Sequence, residues 1–243
     1  MHDLSILPLP SQQTERCDLP SVLPQGSALL IAPSNSGKST WLTNMILRLR
    51  YGYCFHYNTI FVFSPTLDMD ATWDLVHEYR PSKVAHKGKR KQTANIVLDP
   101  AFTLEKVEAI LDAQDTLSPK DRKRVLVILD DVADALPRGG NDVLERLFFR
   151  GRHAKVWCWL SSQAYRRVPR NIRLNAPFYV IWQVRAVELG VIVDELAVEA
   201  PEEFRKIYHE ATDPKFGFLT INAKAERESR YTASFKPLKS HEQ

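Results

Sequence analysis

Short, wholly apolar runs alternate along this chain with segments whose apolar positions recur every three or four residues. Ser27–Ala32 (Ser-Ala-Leu-Leu-Ile-Ala), Thr59–Phe63, Val125–Leu129, Val156–Leu160 and Phe178–Trp182 are too short for stable helices and carry no polar alternation. They predict strands buried on both faces. Between them, Leu42, Met45, Ile46 and Leu49 mark an amphipathic helix starting near Gly37. Further helices are expected over Trp73–Tyr79, around Leu104, Val107 and Leu111, and over Asp142–Phe149, with a short apolar run at Asn95–Leu98. Strands that alternate with helices predict an α/β fold with a mainly parallel central sheet covered by helices on both faces. Residues 1–26 hold Pro8, Pro10, Pro20 and Pro24 among polar residues and read as an extended arm. Residues 27–221 form the expected domain, and residues 222–243 a tail. Apolar runs around Phe216–Ile221 and Tyr231–Phe235 offer strands for the sheet edge. No internal repeat is visible.

Composition narrows this picture. A chain of 243 residues, 44% hydrophobic and 26% charged, buries a full core rather than staying disordered. No stretch approaches the roughly 18 to 20 apolar residues of a membrane span, and the first residues lack the pattern of a signal peptide. A soluble, intracellular protein is expected. Cys17, Cys54 and Cys158 are far apart and show no metal-site spacing, so reduced structural thiols are expected. A net charge of +4 fits an anionic partner without requiring one.

The chemistry concentrates at residues 32–40, Ala-Pro-Ser-Asn-Ser-Gly-Lys-Ser-Thr, a Walker A pattern with Ala32 in place of the first glycine. The motif falls between an expected strand and an expected helix, where backbone N–H groups and the helix dipole converge on an anion. Pro33, Ser34, Asn35, Ser36, Gly37, Lys38, Ser39 and Thr40 are therefore the candidates to enclose the phosphates of ATP. Lys38 reaches the β- and γ-phosphates, and the Ser39 hydroxyl ligates Mg²⁺. Such a loop needs a carboxylate at the end of an adjacent buried strand, and Asp130 and Asp131 follow Val125–Leu129 directly. Asp130 is expected to position the metal from its second shell, and Asp131 to orient or deprotonate the attacking water. Gln163, closing the next strand, is placed to hold that water beside the γ-phosphate. A surface glutamine is its plainer reading.

The ordered set Ala-Pro-Ser-Asn-Ser-Gly-Lys-Ser-Thr, then Ile-Leu-Asp-Asp, then Gly-Arg-His before an apolar strand ending in Ser-Gln resembles the FtsK/HerA superfamily of DNA-pumping P-loop ATPases of the ASCE type. The Gly-Arg-His form and the small size are similar to the genome-packaging ATPases of large DNA viruses, virophages and Maverick-type elements. The likeness spans about residues 27–183. It implies a homo-oligomeric ring, hexameric or pentameric, that threads double-stranded DNA while hydrolysing ATP and works with capsid proteins. It also implies residence in the host cytoplasm or a virus factory, with virion association. Arg152 matches the family's arginine finger, inserted into a neighbouring subunit's site. A surface pairing with Asp142 or Glu145 is the alternative.

Two basic clusters are candidates for sequence-nonspecific contact with DNA phosphates: Lys83–Lys91, with Lys87, Lys89, Arg90 and Lys91, and Arg166–Arg173, with Arg166, Arg167 and Arg170. Either is equally readable as a solvated loop, and the second as a subunit interface. Two other functions share the phosphate loop. A small-molecule or nucleoside kinase would bring an arginine-rich lid, which is not evident. A nucleotide-dependent assembly switch fits the adjacent aspartates less well than turnover does.

Overall fold

The computed structural model describes residues 26–51, 57–78, 83–86, 89–92, 94–132, 135–136, 142–234 and 236–237. The chain runs β1 (Ala28–Ile31), α1 (Lys38–Tyr51), β2 (Thr59–Phe63), a 3-10 turn (Ala71–Trp73) and α2 (Asp74–His77). A hairpin of β3 (Lys83–His86) and β4 (Lys89–Gln92) precedes β5 (Asn95–Asp99), α3 (Leu104–Asp115) and β6 (Val125–Leu129). Next come α4 (Asp142–Glu145), continued by a π turn (Arg146–Arg150) and a 3-10 turn (Gly151–Ala154), and then β7 (Val156–Ser162). The remainder is α5 (Arg170–Asn175), β8 (Phe178–Trp182), α6 (Ala186–Leu196), α7 (Pro201–Thr212), β9 (Phe218–Asn222), β10 (Tyr231–Ala233) and β11 (Lys236–Pro237). No described helix is long and apolar enough to cross a membrane.

The main sheet has the order β11-β10-β9-β8-β1-β7-β6-β2-β5. From β8 to β5 all pairings are parallel. The strands β9, β10 and β11 extend it in antiparallel fashion. Side chains alternate between the sheet's two faces, and two cores result. Ala28, Leu30, Leu126, Ile128, Trp159 and Val180 pack on one side with Trp41, Leu42, Met45 and Ile46 of α1. Leu29, Ile31, Val127, Leu129, Cys158, Leu160, Tyr179 and Ile181 pack on the other with α3, α6 and α7. Trp41 locks α1 to the sheet: its ring centre lies 5.9 Å from that of Trp159 and 5.8 Å from that of Trp182. Burial raises the Cys158 thiol pKa well above its ordinary value, so this cysteine is an inert core residue. Cys17 and Cys54 lie outside the described residues, as do residues 1–25 of the N-terminal arm.

The structure corrects the expected strand order at one point. The strand that ends in Asp130 is not adjacent to β1, because β7 lies between them. An aspartate at the end of β6 nevertheless reaches the loop after β1, since parallel strands bring their C-terminal ends to one edge of the sheet. Gly151 sets the approach to β7: a Cβ there would stand 2.6 Å from the Val156 carbonyl oxygen, closer than any side chain tolerates.

Candidate nucleotide site

The loop from Ala32 to Gly37 leaves β1 with its first amide bonded to the Ser162 carbonyl (3.0 Å), so it is tied to the end of β7. Asn35 (φ 61°) and Gly37 (φ 87°) adopt left-handed backbones that fold the loop back over the start of α1. The Trp41 amide takes up the Gly37 carbonyl (2.9 Å) as the first helical bond. The amides of Lys38, Ser39 and Thr40, ahead of that bond, have no carbonyl within the helix to donate to and stand at its positive end. Ser36 Oγ is buried there without a hydrogen-bond partner.

Lys38 and the two aspartates converge. Lys38 Nζ lies 3.0 Å from Asp130 Oδ1 and 2.5 Å from Asp131 Oδ1. Asp130 is completely buried. Its Oδ1 accepts the Ser161 hydroxyl (2.6 Å) and its Oδ2 the Ser64 hydroxyl (3.0 Å), so β2, β6 and β7 together fix one carboxylate. Asp131 sits in a left-handed backbone (φ 53°), with its amide donating to Ser161 Oγ (3.1 Å). This turn points the second acid outward. Gln163 Nε2 approaches Asp131 Oδ2 at 3.5 Å, and its Oε1 accepts the Ser34 hydroxyl (3.2 Å). Lys38, Asp131 and Gln163 are thus brought to one place, with Asp130 behind them.

These groups border a cleft of about 560 Å³, lined by Pro33, Ser34, Asn35, Gly37, Lys38, Ser39, Thr40, Asp131 and Gln163. Asp130 supports the cleft from below without lining it. Opposite Ser39 the wall is made by Thr66, Asp70 and Thr72, which the sequence reading did not single out. Asp70 accepts from the Thr72 amide (3.0 Å) and from the Thr72 hydroxyl, capping the 3-10 turn. Burial opposes its charge, yet hydrogen bonds from Thr72 and Ser39, with the nearby charge of Lys38, outweigh that and hold its carboxyl below the ordinary range. An acid seven residues beyond a buried strand carries no motif. Its only signal in the sequence is the Asp-x-Thr capping pattern Asp70-Ala71-Thr72.

Arg152 does not enter this cleft. It is exposed in the turn before β7, at the opposite edge of the sheet from Gln163, and forms no ion pair with a described residue. Its suggested partner Glu145 accepts instead from Asn171. Of the basic candidates, Lys87 lies outside the described residues, and Lys89, Arg90 and Lys91 fall on β4 of the hairpin. That segment is therefore not a plain loop. Arg166, Arg167 and Arg170 are exposed beyond the end of β7. Arg166 donates to the Val187 carbonyl (3.4 Å), and Arg170 lies 3.6 Å from Glu195.

A family model described as Poxvirus A32 protein matches residues 26–207. Among solved structures, the genome packaging NTPase B204 of Sulfolobus turreted icosahedral virus 2, in complex with AMP, superposes with a TM-score of 0.61 at 14% identity, covering 89% of this chain and 100% of that one. The ATP-gammaS complex of the same protein gives 0.59 at 15% identity over 89% and 100%. The DNA-packaging ATPase B204 of Sulfolobus turreted icosahedral virus gives 0.59 at 16% identity over 82% and 93%. These likenesses place the chain in the P-loop NTPase fold. No curated protein sequence matches it.

Proposed function

From the chain's membership of the Poxvirus A32 protein family, we propose that it is an ATPase that translocates double-stranded DNA and packages a viral genome into a capsid. The observation that carries this reading is the convergence of Lys38 with Asp130 and Asp131 beside a loop shaped for phosphate. The fold it shares with viral packaging ATPases supports the DNA-moving role, as do the exposed Arg166, Arg167 and Arg170.

In the mechanism that follows from the geometry, Lys38 is the first group to move. It is held by two carboxylates in this structure, and an incoming triphosphate offers it a denser anion. Transfer of Lys38 to the phosphates frees Asp131 from its ion pair. Asp131 then holds the attacking water with Gln163, whose amide already reaches it, and accepts the water's proton. Asp130, held by the Ser161 and Ser64 hydroxyls, keeps the end of β6 rigid and would position the metal from its second shell. The residues suit a magnesium ion: the Ser39 hydroxyl and the Asp70 carboxylate, hydrogen-bonded to each other, both line the cleft. Ser39 would hold the ion, with Asp70 ordering its waters. Bound there, magnesium neutralises charge on the phosphate oxygens.

Steady-state ATP hydrolysis, measured with and without duplex DNA and alongside the mass of the assembly in ATP, tests the proposal. Duplex DNA of any sequence should stimulate turnover in a ring-sized assembly. Lys38→Ala should lower turnover by roughly 100-fold or more. Turnover indifferent to duplex DNA and raised by nucleosides would identify a kinase instead.

A further inference from the structure

One wall of the cleft is closed by a residue that the phosphate chemistry does not use. Phe216 lies in the turn between α7 and β9 and borders the same space as Pro33, Asn35 and Thr40. It keeps 37% of its surface exposed, whereas Phe204 and Phe218 on either side of the turn are buried. Its backbone is left-handed, with φ at 62°, a region that bulky side chains avoid. Burial of the ring offsets that strain only in part.

The turn has little freedom to relax. The Gly217 amide donates to the Pro214 carbonyl at 2.6 Å. A Cβ on Gly217 would lie 2.5 Å from the Ala211 carbonyl oxygen and 2.9 Å from that of Pro214, so the chain passes tightly under the end of α7. It then enters β9, which is bonded to β8, itself the neighbour of β1. The ring and the phosphate loop are therefore held by one sheet. The Lys215 ammonium stands 5.1 Å from the ring centre, a cation on an aromatic face.

We propose that Phe216 is the platform on which the purine base of the bound nucleotide stacks, which makes this turn the base subsite of the cleft. The inference rests on the nucleotide reading of the phosphate loop and adds to it the group that recognises the other end of the ligand. Backbone strain of this kind clusters at ligand sites, where the surrounding fold holds it in place. A flat π-face grips any base through stacking, without base-specific hydrogen bonds.

Calorimetric titration of the full chain with magnesium ATP and, separately, with magnesium tripolyphosphate distinguishes the base from the phosphates. Phe216→Asn removes the ring while keeping a residue that tolerates a left-handed backbone, so its thermal transition should be no lower than that of the parent. ATP should bind it roughly 5- to 100-fold more weakly, with tripolyphosphate unaffected. Phe216→Trp should restore ATP binding. Equal affinity of parent and Phe216→Asn for ATP would overturn the platform, and so would an equal loss of both ligands. Lys38→Ala serves as the separate control on the premise. If it leaves tripolyphosphate binding intact, the phosphate loop itself is misread, and the platform falls with it.

Discussion

Asp70 does two jobs with one carboxylate, and the two separate under substitution. As the cap of the turn 71–73 it accepts from the Thr72 amide, and across the cleft it receives the Ser39 hydroxyl. Asp70→Ala loses both, and the lost cap alone should cost about 1 kcal/mol of stability. Asp70→Asn keeps a carbonyl acceptor for Thr72 but loses the negative charge. That variant should therefore melt close to the parent, yet need several-fold more magnesium for half-maximal ATP hydrolysis. A magnesium titration of activity, set beside a thermal melt, measures both. An unchanged magnesium requirement in Asp70→Asn would reduce Asp70 to a cap. Phe216 presents the same separation between what holds the turn and what faces the ligand.

Between elements, Glu195 clasps α6 to α5. Arg173 reaches it twice, at 2.8 and 2.9 Å, and Arg170 approaches at 3.6 Å. Burial opposes the charge on Glu195, but hydrogen bonds from Arg173 and Tyr165 and the arginine charges outweigh it, and the carboxyl titrates below its ordinary range. A folded-state value lower than the unfolded one contributes stability above the unfolded value, near pH 4, and that contribution disappears as pH falls through the folded value. Glu195→Gln should thus destabilise the protein at pH 7 and lose its disadvantage in increasingly acidic buffer. Urea unfolding at several pH values checks this; a gap independent of pH would show a packing effect. The same elements mark what was legible in the sequence. The strands declared themselves as apolar runs, because both of their faces are covered. α6, with its run Val191-Ile192-Val193, carries β-branched residues that suit a strand equally well, and it passed unread. α7 passed unread despite Pro201 and two glutamates in its first turn, which are the usual start of a helix. The phosphate loop was legible because its function depends on local backbone spacing. Asp70 and Phe216 were not, since only folding across the sheet brings them to the cleft.

At the scale of the whole molecule, the position of Arg152 limits where it can act. The seven residues of β7 separate its turn from the catalytic edge, roughly 20 Å at the rise of a strand. Arg152 therefore cannot serve its own cleft. In a head-to-tail ring, each subunit presents one edge to the cleft of the next, and an exposed arginine with no ion pair among the described residues suits that edge. Lys38→Ala and Arg152→Ala proteins should each be inactive alone. When the two are mixed in equal amounts, half the clefts keep Lys38 and half the donors keep Arg152, so about a quarter of the interfaces in a randomly assembled ring are complete. Hydrolysis should return in proportion on mixing, by up to that fraction of parental activity, provided that the intact interfaces work independently. Mixed assembly is verified by native mass spectrometry with one variant isotopically labelled. Mixed rings without recovery would exclude a finger acting between subunits and leave Arg152 as a surface cation. An Arg152→Ala protein that hydrolyses ATP normally by itself would exclude it more simply.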